Sequence, residues 1–89
     1  MRAHHDLKLL PRFFQAKERG LKPWEVRVTD DRDFKIGDMV TFQEVDAFHM
    51  EPTGRTYGPV EITYILEGQD GRGLIRPEAC IFTHTSVSR

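Results

Sequence analysis

The chain has 89 residues, of which 38% are hydrophobic, 30% charged and 10% aromatic, and its formal net charge is -1. A chain of this length makes one small domain with one core, and this composition is typical of a folded protein rather than a disordered or fibrous one. We therefore expect a single domain over residues 1–89. The near-neutral charge excludes a general attraction to nucleic acid. Residues 1–35 and 36–89 nevertheless carry +3 and -4, which permits a local anion site.

Several classes of protein are not supported by the sequence. No apolar run approaches the roughly 20 residues that span a bilayer, and the first residues, MRAHHDLK, lack the apolar segment of a secretory signal. We expect a cytoplasmic protein without a membrane partner. The single Cys80 cannot form an internal disulfide, and we expect it to be a buried small side chain. The histidines have no spacing typical of a metal site, so we expect neither a metal nor a cofactor.

The chain begins with a predicted strand and a predicted helix. Residues 5–9 (HDLKL) alternate, with Leu7 and Leu9 on one side of a short strand. Pro11 suits the first turn of a helix, and Gly20 suits its end. One face of this helix is apolar with the stem of a lysine at its edge, and it comprises Leu10, Phe13, Phe14 and Lys17.

After Gly20 the sequence period changes to two, which predicts a strand over residues 24–28 (WEVRV). Trp24, Val26 and Val28 share one face of this strand, and we expect them to hold it to the core. Glu25 and Arg27 share the other face. The two charges should therefore stand side by side on a surface that points away from the core.

The rest of the chain predicts further strands joined by loops and turns. In the loop over residues 30–38, Phe34 and Ile36 are expected to anchor the chain to the core. Phe48 and Met50 lie in a long connection, where they either plug the core or offer a contact surface. The predicted segments are a strand at 39–46, a connection at 49–58, a strand at 60–67 with Ile62, Tyr64 and Leu66 on one face, a turn at 69–73 and a closing strand at 79–87.

This order of elements indicates the fold class. A strand, a helix and then about four strands favour an α+β, mainly β domain. We expect a small, open, mixed β-barrel of about five or six strands, with the one N-terminal helix covering an opening.

The stretch from Gly20 to Arg27 (GLKPWEVR) has two interpretations. In the structural one, Glu25 and Arg27 form a solvated pair worth at most about 1 kcal/mol, and Lys22 is an ordinary surface charge. In the functional one, Lys22 and Arg27 donate to phosphate or carbonyl oxygens in a cleft, while Glu25 accepts from base amines or orients the arginine. Trp24 could then be a stacking platform for a base, although its parity with the valines favours the core.

A family resemblance bears on this choice. The residues Gly20, Lys22, Glu25 and Arg27 match G-x-K-x-x-E-x-R, which resembles the signature of the ASCH domain, a member of the PUA-like superfamily of small RNA-associated β-barrels. The segments around the motif are similar to a bacterial and phage subfamily of ASCH-like proteins with no assigned function. These segments are HDLKLLPRFF, DDRDFKIGD, Glu44, the GR at residues 54–55 and the ITYIL at residues 62–66.

The resemblance covers residues 5–66 and implies an open PUA-like barrel with its helix beside a cleft. It implies that Lys22, Glu25 and Arg27 line this cleft, where ASCH domains are thought to bind RNA or nucleotide-like ligands. The expected partner is single-stranded or modified RNA, or a nucleoside or nucleotide. Phosphates would be contacted by the two cations and a base edge by Glu25.

Three further residues lie in recurrent stretches of the subfamily. His5 and Arg32 are candidates for the border of the cleft, and for His5 a plain strand role without a ligand is the favoured alternative. Asp31 is expected to organise the loop before Gly37.

Two other function classes remain open. Some small ASCH-fold proteins are amidohydrolases that cleave N4-acylated cytidine, and they place a threonine where this chain has Glu25. An enzyme here would need Glu25 as general base on a water and Lys22 as the group that stabilises the oxyanion. The second alternative is a phage or mobile-element interaction module, with Phe48 and Met50 at its contact surface.

Overall fold

The computed structural model describes residues 2–28, 33–71, 73 and 75–87. Within these residues one strand, one helix and four further strands follow each other in the predicted order. The elements are β1 (His4–Leu9), α1 (Pro11–Glu18), β2 (Trp24–Val28), β3 (Met39–Val45), β4 (Pro52–Glu67), a 3-10 turn (Gly68–Gly71) and β5 (Ala79–His84). No helix in the described part of the chain is long and apolar enough to cross a membrane.

The five strands form one sheet in the order β1-β3-β4-β5-β2. β1 runs parallel to β3, and the other three pairs are antiparallel. The domain is therefore mainly β with one helix, as predicted. β1 and β2 are the two edges of the sheet, and in the described residues the sheet is not closed by a ladder between them.

The core lies between α1 and the inner face of the sheet. Phe14 on α1 and Phe42 on β3 are both fully buried, and Cys80 is buried as predicted, with burial raising the pKa of its thiol. Phe34 anchors its loop to this core, whereas Ile36 is 60% exposed, so the second predicted anchor is wrong. The buried apolar cluster comprises Leu7, Leu9, Phe14, Phe34, Val40, Phe42, Tyr57, Val60, Ile62, Cys80 and Phe82.

The ends of α1 follow from the residues that the sequence pattern singles out. Pro11 occupies the first turn of the helix. A backbone N–H at this position has no acceptor within the helix, so the N–H that proline lacks costs no hydrogen bond. At the other end Gly20 has a φ of 74°, a left-handed conformation that glycine adopts without strain. The N–H groups of Gly20 and Leu21 then donate to the carbonyls of Lys17 and Ala16, which closes the helix and turns the chain toward β2.

β4 is longer than predicted, because it begins at Pro52 instead of after Gly58. The true connection is residues 46–51, which the carboxylate of Asp46 organises by accepting hydrogen bonds from backbone N–H groups of that segment. Phe48 in this connection is 92% exposed, so the prediction that it plugs the core is wrong.

A register shift in β4 corrects a second prediction. Ile62 pairs with His84 and Tyr64 pairs with Thr83, so the residue between them has no partner across the ladder. An extra residue of this kind reverses the parity of every residue after it. Ile62 is consequently buried while Tyr64 and Leu66 are exposed, although the sequence period placed all three on one face.

The joint between β4 and β5 should tolerate no side chain at Gly68. A Cβ atom there would overlap the backbone carbonyl oxygens of Arg76, Pro77 and Ala79, which cannot move away as a flexible side chain can. We expect Gly68→Ala to lower the free energy of unfolding by about 3 kcal/mol or more, measured by urea denaturation. Gly54→Ala is the control, because a Cβ at Gly54 meets no atom within 4 Å and only its positive φ is strained, at a cost of about 1 kcal/mol. Equal losses in the two variants would contradict the steric argument.

Candidate functional site

The face of β2 that is buried is not the one that its sequence pattern predicts. Trp24, Val26 and Val28 are 44%, 47% and 49% exposed, whereas Glu25 is only 3% exposed. The strand itself is where it was predicted, but the expectation that its apolar face packs on the core is wrong. The reason lies in what surrounds the carboxylate of Glu25.

Three cationic side chains bind the Glu25 carboxylate. Lys22 Nζ lies 2.6 Å from Oε1, and Lys17 Nζ lies 3.2 Å from the same oxygen. Arg27 donates to Oε2 from Nε at 3.0 Å and lies 2.8 Å away through Nη2. We call these four residues the Glu25 cluster, and with one anion and three protonated cations it carries a formal charge of +2.

The carboxylate of Glu25 is fully occupied by this arrangement. An ionised carboxylate offers about four lone-pair sites, and four N–H-bearing nitrogens approach its two oxygens. Burial by itself would raise the pKa of Glu25, but the hydrogen bond from Lys22 and the charges of Lys17 and Arg27 together lower it. Glu25 is therefore ionised at neutral pH, where it orients its cations.

Lys17 is the member of the cluster that sequence reasoning missed. It was expected at the edge of the helical face, with its stem on the core, but it is only 1% exposed. Its Nζ lies 3.0 Å from the carbonyl oxygens of both Lys22 and Trp24 and 2.9 Å from His84 Nε2. The signal was a lysine in line with an apolar stripe, which spacing alone cannot distinguish from a snorkelling surface lysine.

The contacts of Lys17 explain how an ammonium group is held inside the domain. Burial lowers the pKa of Lys17 to about 8, although the Glu25 carboxylate opposes that shift. His84 Nδ1 lies 2.7 Å from the carbonyl oxygen of Thr85, so this nitrogen carries the proton and Nε2 is free to accept from Lys17. Burial also lowers the pKa of His84, which keeps the ring neutral. Lys17 thus holds the segment between α1 and β2 through the backbone carbonyl groups of Lys22 and Trp24.

A cleft of about 300 Å³ opens above the cluster. Lys22, Glu25 and Arg27 all line it, so the structure brings three of the predicted site residues together at one concave surface. Lys8 adds a further cation at the wall. The apolar part of the lining comes from both edge strands, from β3, from α1 and the residue before it, and from the 46–51 connection. It comprises Leu9, Leu10, Phe13, Val26, Val45 and Met50.

The other predicted site residues are not part of this arrangement. His5 is a residue of β1 whose side chain is buried, and it does not line the cleft. Its Nε2 lies 2.8 Å from Asp38 Oδ2, and its ring packs on Phe34 with 4.7 Å between the ring centres. The prediction that it borders the cleft is wrong because Asp38 holds it in the core. Arg32, and Asp31 beside it, lie outside the described residues. Across the described ranges, no three His, Cys, Asp or Glu side chains are grouped to hold a metal ion.

Comparison with known families adds one finding. Residues 4–82 match the model of a family described as a domain of unknown function, DUF3850. The chain belongs to the DUF3850 family. No curated protein matches it. The matched range includes every strand up to Phe82 and the whole Glu25 cluster, so the cluster lies within the family domain.

Removing the charge of Glu25 should destabilise the domain strongly. In Glu25→Gln the three buried or half-buried cations lose their anion. Removing one partner of a buried ion pair lowers the free energy of unfolding by about 3 kcal/mol or more. We expect a loss of that size in urea denaturation at pH 7. Glu51→Gln is the matched control, because Glu51 is exposed and its loss should change the unfolding free energy by less than about 0.5 kcal/mol. A neutral result for Glu25→Gln would show that the cluster does not hold the fold together.

The same carboxylate predicts a specific response to acid. Because the pKa of Glu25 in the folded chain lies below its ordinary 4.5, its stabilising contribution is complete above that pH and is lost as the pH falls through the lowered value. Wild type should therefore lose more stability between pH 7 and pH 3 than Glu25→Gln, in which that contribution is absent throughout. Urea midpoints at a series of pH values measure the difference, to which Asp38 contributes equally in both proteins. Parallel pH profiles would contradict the assignment.

Proposed function

We propose that this protein binds RNA, or a nucleotide-like part of it, in the cleft above the Glu25 cluster. Single-stranded or modified RNA is the ligand class that the site suits best. The observation that carries the proposal is the buried carboxylate of Glu25, which holds Lys22 and Arg27 at the cleft surface in a chain whose net charge is -1. A concentrated positive site on an otherwise slightly acidic protein suits a local anion such as phosphate.

Arg27 is oriented for such a contact. Its Nε and Nη2 are directed at Glu25, and Nη2 also donates to the carbonyl oxygen of Lys8 at 2.8 Å. Nη1 makes no hydrogen bond or ion pair with the described residues, so it is the end of the guanidinium that can donate to a phosphate oxygen. Lys22 supplies a second cation, and its side chain is 14% exposed compared with 26% for that of Arg27. Phosphate contacts of this kind position an RNA chain without reading its sequence.

The apolar walls of the cleft provide for a base. A volume of about 300 Å³ lies at the small end of ligand sites and admits one ring system rather than a long ligand. Phe13 and Met50 at the wall offer flat and adaptable apolar contacts to a ring face. Glu25 does not read the base edge in this proposal, because its oxygens already accept hydrogen bonds from Lys22 and Arg27 and make a further ion pair with Lys17.

The fold proposal that accompanies this function is an open PUA-like barrel related to the ASCH domain. Its support is the approach of the two sheet edges, since Arg27 on β2 donates to the backbone of Lys8 on β1. A side chain, rather than a strand ladder, spans the gap at that point. Lys22, Glu25 and Arg27 of the G-x-K-x-x-E-x-R motif line the cleft, which is compatible with this proposal.

The two alternatives have less support from the site. An amidohydrolase that acts on N4-acylated cytidine needs Glu25 to take a proton from water, and a fully hydrogen-bonded carboxylate with a lowered pKa is a weak base near pH 7. The interaction module depends on the exposed side chains of Phe48 and Met50, two apolar residues in one short connection. Scattered exposed apolar residues of this kind are common on protein surfaces.

Binding can be measured by fluorescence anisotropy with labelled eight-nucleotide homopolymers of A, C and U, and by NMR titration with the corresponding 5′-monophosphates. Lys22→Ala and Arg27→Ala should each weaken oligonucleotide binding about tenfold and reduce the slope of log affinity against log salt by about one, because each removes a phosphate contact.

Lys35→Ala is the control for charge. Lys35 is highly exposed and does not line the cleft, so its loss should leave affinity within about twofold of wild type. Thermal unfolding of each variant verifies that the fold is retained. No binding of any probe by wild type, or equal binding by wild type and both cleft variants, would overturn the proposal.

A further inference from the structure

The outer face of β2, β5 and β4 carries a row of side chains that the cleft does not use. Trp24 on β2 pairs with Thr83 on β5, and Thr83 pairs with Tyr64 on β4. Paired residues point to the same side of a sheet, so the three side chains lie abreast on one surface. We call Trp24, Thr83 and Tyr64 the outer row. All three are exposed, Tyr64 by 64% and Trp24 by 44%.

The register shift in β4 creates this row. Thr63 is the extra residue opposite Thr83, and its Oγ1 lies 2.7 Å from Thr83 Oγ1 on the exposed side of the sheet. Two hydroxyl groups therefore lie on the same exposed face as the two aromatic rings. The rings stand on the outer two of three adjacent strands, which are separated by about 10 Å.

Lys22 connects the outer row to the cleft. Its Nζ lies 4.8 Å from the ring centre of Trp24 and 5.4 Å from that of Phe13, while it donates to Glu25 at 2.6 Å. Phe13 belongs to the cleft wall and Trp24 to the outer row. The same ammonium group thus borders both surfaces, and a polyanion leaving the cleft past Lys22 arrives at Trp24.

From this continuity we propose that the outer row is a second RNA subsite, where bases of a single strand that leaves the cleft stack on Trp24 and Tyr64. The inference rests on the proposed function of the cleft and adds to it the length and path of the ligand. Exposed aromatic rings beside a cation are the usual platform for unpaired bases, because every base has a face that stacks. The hydroxyls of Thr63 and Thr83 lie where they can hydrogen-bond to base edges or to a ribose.

The composition of the face favours RNA over a protein partner. The row next to the outer row is aliphatic, with Val26, Ile81 and Leu66 in register across the same strands. A protein interface would use this aliphatic row as its centre, since interface cores are depleted in charge and rich in apolar contact. The aromatic residues and the hydroxyls are instead concentrated in the outer row, with Lys22 beside Trp24.

The test uses Trp24 as a reporter, because it is the single tryptophan of the chain. Stacking of a base on its indole should quench its fluorescence when the eight-nucleotide homopolymers of A, C and U bind, whereas the 5′-monophosphates, which fill only the cleft, should leave it nearly unchanged. Trp24→Ala and Tyr64→Ala should each weaken octamer binding roughly tenfold and leave monophosphate binding within about twofold of wild type. Trp24→Phe should restore most of the octamer affinity, because it keeps an aromatic face.

Val28→Ala is the matched control, since Val28 is an equally exposed side chain on the same face of β2 but lies away from the outer row. It should bind octamers as wild type does. Octamer binding without quenching of Trp24, or with unchanged affinity in Trp24→Ala and Tyr64→Ala, would overturn the second subsite and leave the cleft proposal intact. Absence of any RNA or nucleotide binding would overturn both.

Self-association is measured on the same proteins by light scattering after gel filtration. A dimer of wild type that Trp24→Ala, Tyr64→Ala and Val28→Ala all convert to a monomer would show that the whole face is an interface between two copies, and would also overturn the inference.

Discussion

The binding of Glu25 by Lys17, Lys22 and Arg27 is the interaction on which the rest of this structure depends. A carboxylate in a protein interior is destabilising unless it is paired and hydrogen-bonded, and here it accepts hydrogen bonds from Lys22 and Arg27 and forms ion pairs with all three cations. The cations come from α1, from the segment after it and from β2 itself. One buried anion therefore fixes the relative positions of the helix, the connecting segment and an edge strand.

The cluster also determines how the two edge strands of the sheet, β1 and β2, approach each other. Arg27 can reach the backbone of Lys8 on β1 because Glu25 holds its guanidinium from one side. Lys17 holds the carbonyl groups of Lys22 and Trp24, so the chain enters β2 in the orientation that turns Glu25 inward. The cleft lies where these contacts meet, and its positive charge is a result of the same residues that stabilise the fold.

Structure and proposed function are linked by this double use of side chains. In the proposed function Glu25, which is enclosed and has a lowered pKa, contributes to RNA binding only indirectly, by presenting Lys22 and Arg27. Because Glu25 occupies the inner face of β2, Trp24 is turned outward, next to Lys22. Because neighbouring residues of a strand point to opposite sides, the burial of Glu25 also exposes Trp24. The exposed Trp24 extends the proposed ligand surface beyond the cleft.

Local chemistry in the sequence determined the elements. The resemblance carried by the GLKPWEVR motif, and not its spacing, indicated Lys22, Glu25 and Arg27 as cleft residues. Alternation predicted β1, β2 and β3, and the proline and glycine signals predicted the limits of α1. These features depend on residues near one another in the chain, so their period and order are sufficient to find them.

Only the tertiary structure decided which face of each strand is buried. The alternation in WEVRV defines two faces of the strand but does not show which of them is buried. That depends on Lys17, which lies on α1 and supplies the buried counter-charge for Glu25. In β4 a single unpaired residue reversed the faces of Tyr64 and Leu66 relative to Ile62. His5 was likewise drawn into the core by Asp38, which is 33 residues away in the chain. Burial of polar groups depends on partners that are distant in sequence, and a periodic pattern contains no information about them.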